Sequence, residues 1–465
     1  MLRPNTRIRK GTVPFAPTML RMVPGRSGQS PSCASKSPLM SFLPALMAAW
    51  LLLCGVATAA EQPQTLRAGV AKKDITPTKP VTLSGYAGRK DLSQGVHDPL
   101  SARVLAFEQN GKRLVLVSTD LIGFYNQTSA IRKAILTACR LEPSELFLTA
   151  IHTHSGPTPT LDDSKGHANN VEYTKTLETQ LADMVREAMQ NMVPVQIGVG
   201  SGSSPVGVNR REPLPDSATK PNKVRLGRNP AVLTDREVQV LKISRAGTDE
   251  LVAVVFAYPT HSTSLGPKNY VISGDVHGLA EQFVEGNLNH GVIAPAFAGA
   301  SGDIDPWFRV LPKFDTANGW IPEPVLLGTM LGEEVVHVLS GIRKPAAGGP
   351  IKSSMKTLSL PGKPRGQVEA AADAAPVELT VTVARVGDVA VVGLGAEVFN
   401  AIGRAIKDAS PFPHTLVITH CNGAAGYLPT QQSYADGGYE IQSSPFAPAA
   451  AEQVVQEVAK MLREL

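Results

Sequence analysis

One stretch decides how this chain is interpreted: LFLTAIHTHSGP, residues 146–157. Its first six residues are apolar except for Thr149, and they predict a buried strand that ends at Ile151. His152 and His154 follow where this strand opens into a loop. Because side chains alternate along an extended chain, two imidazoles separated by one residue point to the same side. By itself this spacing is a weak motif for a metal site, because it also occurs in hydrogen-bonded histidines of a turn, so the other motifs must decide.

Further polar segments follow apolar strands in the same way. They are YPTHSTS at 258–264 with SGDVHG at 273–278, GDIDP at 302–306, GAE at 395–397, and NGAAGYLP at 422–429 with Tyr439-Glu440 beyond it. Rigid scaffolds place catalytic and binding groups in such loops. Taken singly, His261 could be a hydrogen-bonded core histidine, Glu397 a helix cap and Tyr427 ordinary packing. Together, five polar clusters at strand ends indicate a functional role.

The pattern of apolar residues predicts an α/β protein of the mixed α+β kind, with central mixed β-sheets flanked by helices. Strands and helices mix irregularly, without the strict alternation of a parallel βαβ fold. Helices are predicted over residues 129–139, 171–192, 279–288, 325–339 and 449–462, and strands over 66–72, 103–107, 114–121, 194–199, 251–258, 292–297, 377–384, 389–394 and 415–419. Residues 201–234 are interpreted as a long functional loop, and residues 345–376 as a surface excursion.

The first 60 residues differ in composition from the rest. They contain seven basic residues and no acidic one. Residues 42–56 form an apolar segment that ends in Ala57-Thr58-Ala59, a small-x-small cleavage site. We therefore expect a leader with a signal peptide over residues 1–60 and one catalytic domain over residues 61–465. The protein is then exported to the periplasm, the cell surface or the medium.

The charge balance gives no indication of nucleic-acid binding. The formal net charge of the chain is +5. Without the seven basic residues of the leader, 38 Lys and Arg residues stand against 40 Asp and Glu residues. A nucleic-acid-binding domain needs a basic excess, which these residues lack. Beyond the leader only Cys139 and Cys421 remain, both in apolar segments, so no disulfide framework is expected.

These motifs resemble the catalytic domain of the neutral (non-lysosomal) ceramidases, which are zinc amidases that cut the N-acyl bond of ceramide. The resemblance extends over nearly all of the chain beyond the leader, and the matching residues occur in the same order as in the family. They are Asp74-Ile75-Thr76-Pro77, Ser84-Gly85-Tyr86-Ala87, Gly95-Val96-His97, Ser118-Thr119-Asp120-Leu121, HTHSGP at 152–157, Asn209-Arg210, His261, Ser273-Gly274-Asp275, Gly302-Asp303, Glu397, Tyr427 and Tyr439-Glu440. The HTHSGP element followed by His, Glu and Tyr in this order is fairly specific to the family.

The resemblance implies Zn2+ as the cofactor. Its ligands would be His152, His261, Glu397 and Tyr427, with water completing the site. Two imidazoles and a carboxylate also form the ligand set that zinc chemistry favours for a hydrolytic site with an open position. A water molecule activated by the zinc would attack the scissile carbonyl.

The resemblance also implies catalytic roles for residues that do not bind the metal. His154 would carry the proton to the departing amine. Arg210 and Tyr439 would orient the carbonyl oxygen and stabilise the charge that develops there. Asp275 would fix the tautomer of a ligating histidine.

One position departs from the family pattern. Ceramidases have a serine in their GDxSP element, regarded as catalytic in much of the family, where this chain has Asp305. A carboxylate cannot accept the acyl group without forming an anhydride, so direct attack by activated water is the expected route. Asp305 could accept a proton, bind a second hard cation with Asp303, bind a cationic group of the substrate, or cap the turn before Pro306.

The expected function is that of an exported zinc-dependent hydrolase which cleaves an N-acyl amide bond, in ceramide or a related N-acyl compound. We expect the C-terminal β-sandwich of ceramidases to be absent, and fold and metal site transfer within a family better than substrate does. Two alternatives stay open: a zinc hydrolase of another amide or ester, and a non-catalytic ligand-binding homologue. The expected partner is a small-molecule or lipid N-acyl substrate; transient contact with a membrane surface and the oligomeric state are left open.

Overall fold

A computed structural model describes residues 65–215, 222–288, 291–307, 323–343, 345–346, 348–367 and 374–465. The predicted leader lies outside these residues. The strands are β1 (Arg67–Asp74), β2 (Gly95–Val96), β3 (Ser101–Gln109), β4 (Lys112–Thr119), β5 (Leu146–Leu148), β6 (Val193–Ser203), β7 (Gly207–Asn209), β8 (Arg211–Pro213), β9 (Val224–Leu226), β10 (Glu237–Arg245), β11 (Leu251–Tyr258), β12 (Val271–Ile272), β13 (Ala296–Ala298), β14 (Ile304–Pro306), β15 (Ile351–Leu360), β16 (Val377–Val386), β17 (Val389–Leu394), β18 (Glu397–Val398), β19 (His414–Ile418) and β20 (Tyr427–Leu428). The helices are α1 (Thr128–Cys139), α2 (Ala168–Gln190), α3 (Asp275–Asn287), α4 (Glu323–Gly341), α5 (Asn400–Ala409), α6 (Tyr439–Ser443) and α7 (Ala450–Arg463).

Two mixed β-sheets form the centre of the fold. The larger has eight strands in the order β13-β11-β10-β6-β1-β3-β4-β5, and the smaller has four in the order β15-β16-β17-β19. Most neighbours are antiparallel, whereas β4–β5, β11–β13 and β17–β19 are parallel. Asn110 and Gly111 both have positive φ and form the tight turn between β3 and β4, as an Asn-Gly pair favours. The predicted fold class, mixed sheets flanked by helices, is confirmed.

The two sheets pack against each other, and helices cover the outer face of each sheet, so the fold has four layers. Side chains alternate along the strands between the two faces of each sheet. In β4, Val115 and Val117 pack into the core that contains residues of α1 and α2. Leu114 and Leu116 point the other way, into the core shared with the four-stranded sheet. The far side of that second sheet packs on α5 and α7, and α3 and α4 cover β10 and β11. Each fully buried Val or Leu side chain contributes roughly 1.5–3 kcal/mol, so these cores stabilise the framework that holds the strand ends.

Residues 351–360 lie in a β-sheet and not in the surface excursion that the sequence predicts over residues 345–376. They form β15, which pairs antiparallel with β16 over ten residues, from Ile351 opposite Val386 to Leu360 opposite Val377. β15 is an edge strand and carries Lys352 and Lys356, which is how proteins keep sheet edges from pairing with other chains. The prediction was wrong because a polar edge strand lacks the apolar run that marks a central strand.

The predicted loop at 201–234 also contains short strands. Within it, β7 pairs antiparallel with β14, so that Asn209 lies opposite Ile304 and Val208 opposite Asp305. This pairing brings the residue after β7, Arg210, next to the GDIDP segment.

Cys139 and Cys421 are both buried and both free within the described residues.

Among the described residues, no helix is both long enough and apolar enough to cross a bilayer.

Candidate metal centre

Backbone pairing brings the two histidine loops together. Thr153 and Ser262 form an isolated parallel bridge, and the backbone N–H of His154 donates to the Ser262 carbonyl at 3.1 Å. The chain after β5 continues alongside β4 and its extension, because Thr149 and Ile151 donate to the carbonyls of Val117 and Thr119. His152 and His261 therefore meet although they are separated by more than a hundred residues.

A second pairing positions the other two predicted ligands. β18 and β20 are parallel, with Glu397 directly opposite Tyr427. Burial and the nearby Glu397 carboxylate raise the pKa of the Tyr427 hydroxyl well above its usual value. This hydroxyl accepts a hydrogen bond from Nη2 of Arg210 at 3.1 Å.

Backbone carbonyls set the tautomers of His152 and His261. Nδ1 of His152 donates to the Ile122 carbonyl at 2.7 Å. Nδ1 of His261 lies 2.8 Å from the Ser301 carbonyl and 2.9 Å from that of Ile304. Each Nε2 therefore carries a lone pair, as a metal-binding imidazole requires.

The prediction that Asp275 fixes one of these tautomers was wrong. Its Oδ1 accepts hydrogen bonds from the backbone and hydroxyl of Ser264, and its Oδ2 accepts from the backbone of Leu265. Asp275 thus holds the loop that follows His261, and it acts on the backbone instead of on the imidazole.

Three atoms that can each ligate a metal converge in this centre. Oε2 of Glu397 lies 3.5 Å from Nε2 of His152 and 3.5 Å from Nε2 of His261. This oxygen is buried and has no hydrogen-bond partner among the described residues. A tetrahedral ion with bonds of about 2.1 Å separates its ligand atoms by about 3.4 Å. The spacing and the unpartnered oxygen therefore fit a zinc ion; we call these three side chains the acceptor cluster.

The pKa shifts of Glu397 and His261 suit a bound cation. Burial acts to raise the pKa of Glu397, but His152 and His261 outweigh it and hold that pKa well below its usual range. Burial, with Arg210 in addition, lowers the pKa of His261. An ionised carboxylate beside imidazole nitrogens is a combination that binds a divalent metal.

His154 lies at the edge of the acceptor cluster. Its Nε2 is 3.4 Å from Nε2 of His152, and the two rings meet edge to face at a centroid distance of 4.9 Å. The ligand atoms of His152, His154 and His261 lie within 4.8 Å of one another, so three imidazoles could also hold an ion. That set would leave the Glu397 carboxylate buried without a cation, so we favour the set that includes Glu397.

Arg210 joins this cluster to a group of buried acids. Its Nε donates to Oε1 of Glu440 at 2.7 Å, and its Nη1 donates to Oδ1 of Asp305 at 3.2 Å. Nη1 also lies 3.3 Å from Nε2 of His261. Burial opposes the charge of Arg210, but Tyr427 and these carboxylates outweigh it and raise its pKa further above the usual value.

Asp305 is buried between two guanidinium groups. Besides Arg210, Nη1 of Arg228 contacts its Oδ2 at 3.3 Å. Its neighbour Asp303 points elsewhere and accepts hydrogen bonds from the backbone of Asn400 and the side chain of Asn209. Burial raises the pKa of Asp303 to about 6.

Tyr439 lies at the rim of the centre. Its side chain is 49% exposed, and its ring meets the Tyr427 ring edge to face at a centroid distance of 5.7 Å. The structure thus brings seven of the eight predicted site residues into one largely buried region, with His154 and Glu397 partly exposed, and leaves Tyr439 at its rim.

The sequence interpretation missed two residues of this region. His420 stacks on His152, and Arg228 pairs with Asp305. His420 directly follows the predicted strand at 415–419, so the strand-end signal that marked the other residues was present. Arg228 lies in a segment without such a signal.

Fold and geometry together define a mixed α/β protein with a candidate metal centre at its strand ends. A family model described as neutral/alkaline non-lysosomal ceramidase, N-terminal, matches residues 66–307. The chain belongs to the neutral/alkaline non-lysosomal ceramidase family.

Individual relatives agree with this assignment. The neutral ceramidase of Pseudomonas aeruginosa is 23% identical over 86% of this chain and 72% of its own length. The neutral ceramidase of Oryza sativa subsp. japonica is 29% identical, with 52% of this chain aligned to 31% of the rice protein. The crystal structure of neutral ceramidase from Pseudomonas aeruginosa superposes with a TM-score of 0.68 at 19% identity, over 86% of this chain and 74% of that one. The chain thus spans about a third of the length of the rice relative and about three quarters of the bacterial one.

Proposed function

We propose that this chain is an exported zinc-dependent amidohydrolase of the neutral ceramidase type, which cleaves the N-acyl amide bond of ceramide or a related linear N-acyl compound. The observation that carries this proposal is the acceptor cluster. Its buried carboxylate oxygen faces two imidazole lone pairs at 3.5 Å and has no donor among the described residues. The metal set is His152, His261, Glu397 and Tyr427.

The metal would supply the electrophile and the nucleophile. When bound, Zn2+ polarises the scissile carbonyl and lowers the pKa of water in its coordination sphere toward about 7. The protein positions the histidine rings that would bind the metal. Buried carbonyls lock the His152 and His261 rings, so that each ring keeps its nitrogen lone pair toward the centre.

His154 would carry the proton. Its Nε2 faces the acceptor cluster, and its Nδ1 is buried with no hydrogen-bond partner among the described residues. An imidazole in this place takes the proton from the attacking water at Nε2 and delivers it to the departing amine. The products are a carboxylic acid and an amine, so water is the only co-reactant.

Arg210 would stabilise the negative charge that develops on the carbonyl oxygen. Its guanidinium is buried beside His261 and Tyr427. Asp305 holds it in place from the other side, together with Glu440. Holding Arg210 in place is a role that a carboxylate can fill, so Asp305 at the position of the family serine fits a mechanism without an acyl-enzyme.

Turnover by the purified protein tests the proposal. Zinc-loaded protein is incubated with short-chain ceramides, N-acyl ethanolamines and N-acyl amino acids, and the released amine and fatty acid are measured by mass spectrometry. We expect hydrolysis of at least one class, and its loss in the His152→Ala control. Zinc-loaded protein that cleaves none of these amides would contradict the proposal.

The substitution Asp305→Ser separates the two chemical routes. If Asp305 positions Arg210, the serine variant loses a hydrogen bond to a charged group, and kcat/KM falls about tenfold. A gain in ceramide cleavage would instead show that a serine at this position acts as a nucleophile in this chain.

Export through residues 1–60 is a separate part of the proposal. The Ala57-Thr58-Ala59 site supports cleavage near residue 60. Expression of the full chain with its leader should give exported protein whose N-terminus, determined by sequencing, lies close to Glu61. Full-length protein that stays in the cytoplasm would contradict export.

A further inference from the structure

The three imidazoles of the centre differ in what holds their rings. The Nδ1 atoms of His152 and His261 lie against backbone carbonyls, which fix both rings. Nδ1 of His154 is buried and has no hydrogen-bond partner among the described residues. The His154 ring must therefore take its orientation from packing and from the backbone that carries it.

Residues 84–89, which we call the SGYAGR loop, pack against His154. The φ of Gly85 is +95°, and a Cβ atom added there would lie 2.3 Å from Nδ1 of His154. Only glycine lets the backbone approach the ring so closely. The Tyr86 ring also meets the imidazole edge to face, at a centroid distance of 4.9 Å. The SGYAGR loop is thus a wall along the His154 ring.

The side chain of Arg89 ties the SGYAGR loop to both histidine loops. Its Nη1 donates to the carbonyl of His154 at 2.5 Å and to that of Ser84 at 2.8 Å. Its Nη2 donates at 3.1 Å to the carbonyl of Gly266, in the loop between β11 and β12. One guanidinium therefore connects three segments of chain at the backbone of His154.

Arg89 makes these bonds without a carboxylate partner among the described residues. Its guanidinium lies over the Tyr86 ring, 4.7 Å from the centroid, and burial lowers its pKa. Half-burying a cation without a counter-charge is unfavourable, and only its bonds to the carbonyls offset this. What Arg89 provides in return is a fixed backbone at His154.

We propose that Arg89 is a positioning residue that holds the His154 imidazole at the edge of the acceptor cluster. Its bond is to the carbonyl of His154, so it places the ring through the backbone. A catalytic group transfers a proton efficiently only within a narrow range of distances and angles. Loss of Arg89 should therefore slow the proton transfer assigned to His154 and leave the metal ligands in place. This inference rests on the proposed function.

A double-mutant cycle in the zinc-loaded protein tests this role. Arg89→Met removes the guanidinium, Arg89→Lys keeps the charge, and His154→Ala removes the ring that Arg89 places. Arg113→Met is the matched control, because the Arg113 guanidinium also donates to backbone carbonyls, those of Cys139 and Arg140 at the end of α1. For each protein, kcat, KM and zinc content are measured with an amide that the parent hydrolyses.

We expect Arg89→Met to lower kcat about tenfold, as the loss of a hydrogen bond to a charged group allows, with KM and zinc content unchanged. Arg89→Lys should recover part of this loss. In the His154→Ala background, Arg89→Met should change kcat by less than about twofold, because the ring that it places is gone. Arg113→Met should keep the kcat of the parent.

Hydrogen exchange tests the same contact without a substrate. The backbone N–H of His154 donates to the Ser262 carbonyl, so peptides that contain residues 153–155 should exchange faster in Arg89→Met. Peptides of β3 and β4 should exchange as in the parent. If the parent hydrolyses no amide, the proposed function fails, and exchange alone then decides whether Arg89 holds His154.

Four results would each overturn the inference. They are equal losses of kcat in the parent and His154→Ala backgrounds, loss of zinc from folded Arg89→Met, unchanged exchange at His154, and an equal loss of kcat in Arg113→Met. If Arg89→Met does not fold, the same comparisons are made with Arg89→Lys, which should show a smaller loss of the same kind.

Discussion

Two groups of buried charged side chains in the described part of the chain are neutralised in different ways. The acceptor cluster, His152, His261 and Glu397, has a carboxylate oxygen with no donor among the described residues. The second group, which we call the Arg103 cluster, consists of Arg103, Asp120, Glu281 and Glu285. Arg103 is fully buried, and it donates to Glu281 at 2.5 Å and to Glu285 at 2.8 Å.

The Arg103 cluster supplies its own cations and its own proton. Lys72 also donates to Glu285, and the two cations lower the pKa of Glu285 to about 2 although burial opposes them. Burial raises the pKa of Glu281 and that of Asp120. Oδ1 of Asp120 also has no donor among the described residues, and one proton retained between these two carboxyls would satisfy it. The charges therefore balance within the chain.

The difference distinguishes a structural group from a functional one. A buried carboxylate that faces a guanidinium is complete in the folded chain. The Nδ1 protons of both imidazoles are directed at backbone carbonyls, so in their neutral form neither ring offers a proton to the buried carboxylate, and a bound cation would complete it. Removing a side chain should therefore affect folding in the Arg103 cluster and metal binding in the acceptor cluster.

The largest expected effect is loss of the metal. In His152→Ala and in Glu397→Gln, zinc affinity should fall by about a thousandfold or more, since structural zinc sites bind with about 10–16 kcal/mol and each variant removes a ligand. Chelator competition measures the affinity, and hydrolysis should fall below detection. Circular dichroism should show that both variants stay folded. A variant that retains stoichiometric zinc would remove its residue from the ligand set.

The second largest expected effect is a loss of folding stability when the Arg103 cluster is disrupted. Arg103→Met leaves buried carboxylates without their cation and should lower the free energy of unfolding by about 3–5 kcal/mol, as measured by urea denaturation. Lys72→Met is the matched control, because Lys72 contacts the same Glu285 from the surface and should cost about 1 kcal/mol or less. Equal losses in the two variants would contradict the account of the Arg103 cluster.

A smaller effect separates the third histidine of the motif from the ligands. His154→Ala should keep its zinc and lower kcat about a hundredfold, because a positioned general acid or base contributes about that much. Metal content and single-turnover rates measure the two properties separately. Loss of zinc from this variant would instead favour the set of three imidazoles.

The smallest expected effect is a gain in the stability of the metal-free protein, whereas the changes above are losses. Without metal, Glu397→Gln should be more stable than the metal-free parent by about 1 kcal/mol, because the amide can donate to an imidazole lone pair and carries no charge. Thermal unfolding in the presence of a chelator measures this gain. A metal-free variant that is less stable than the parent would show that the carboxylate is already satisfied in the folded chain.

The sequence predicted the parts of the site better than their arrangement. His152, His261, Glu397 and Tyr427 each follow or begin a strand, and that local signal is strong because strands with buried residues are easy to recognise. Their convergence depends on the pairings of Thr153 with Ser262 and of Glu397 with Tyr427. Such long-range register is not encoded in any local pattern, and only the family resemblance indicated it.

The features that the sequence interpretation missed or assigned wrongly also have physical explanations. β15 was missed because an edge strand with polar residues lacks an apolar run. The tautomer role given to Asp275 failed because backbone carbonyls already occupy both Nδ1 positions. The Arg103 cluster was not foreseen, since one arginine in an apolar strand gives no sign of partners 178 and 182 positions away.

Diffraction from crystals of the zinc-loaded protein, recorded at the zinc absorption edge, tests the central claim most directly. The account predicts one anomalous peak between Nε2 of His152, Nε2 of His261 and Oε2 of Glu397, about 2.0–2.2 Å from each atom. A peak that is bound by His154 and leaves the Glu397 carboxylate free would contradict it, as would a fully zinc-exposed crystal with no peak at this place.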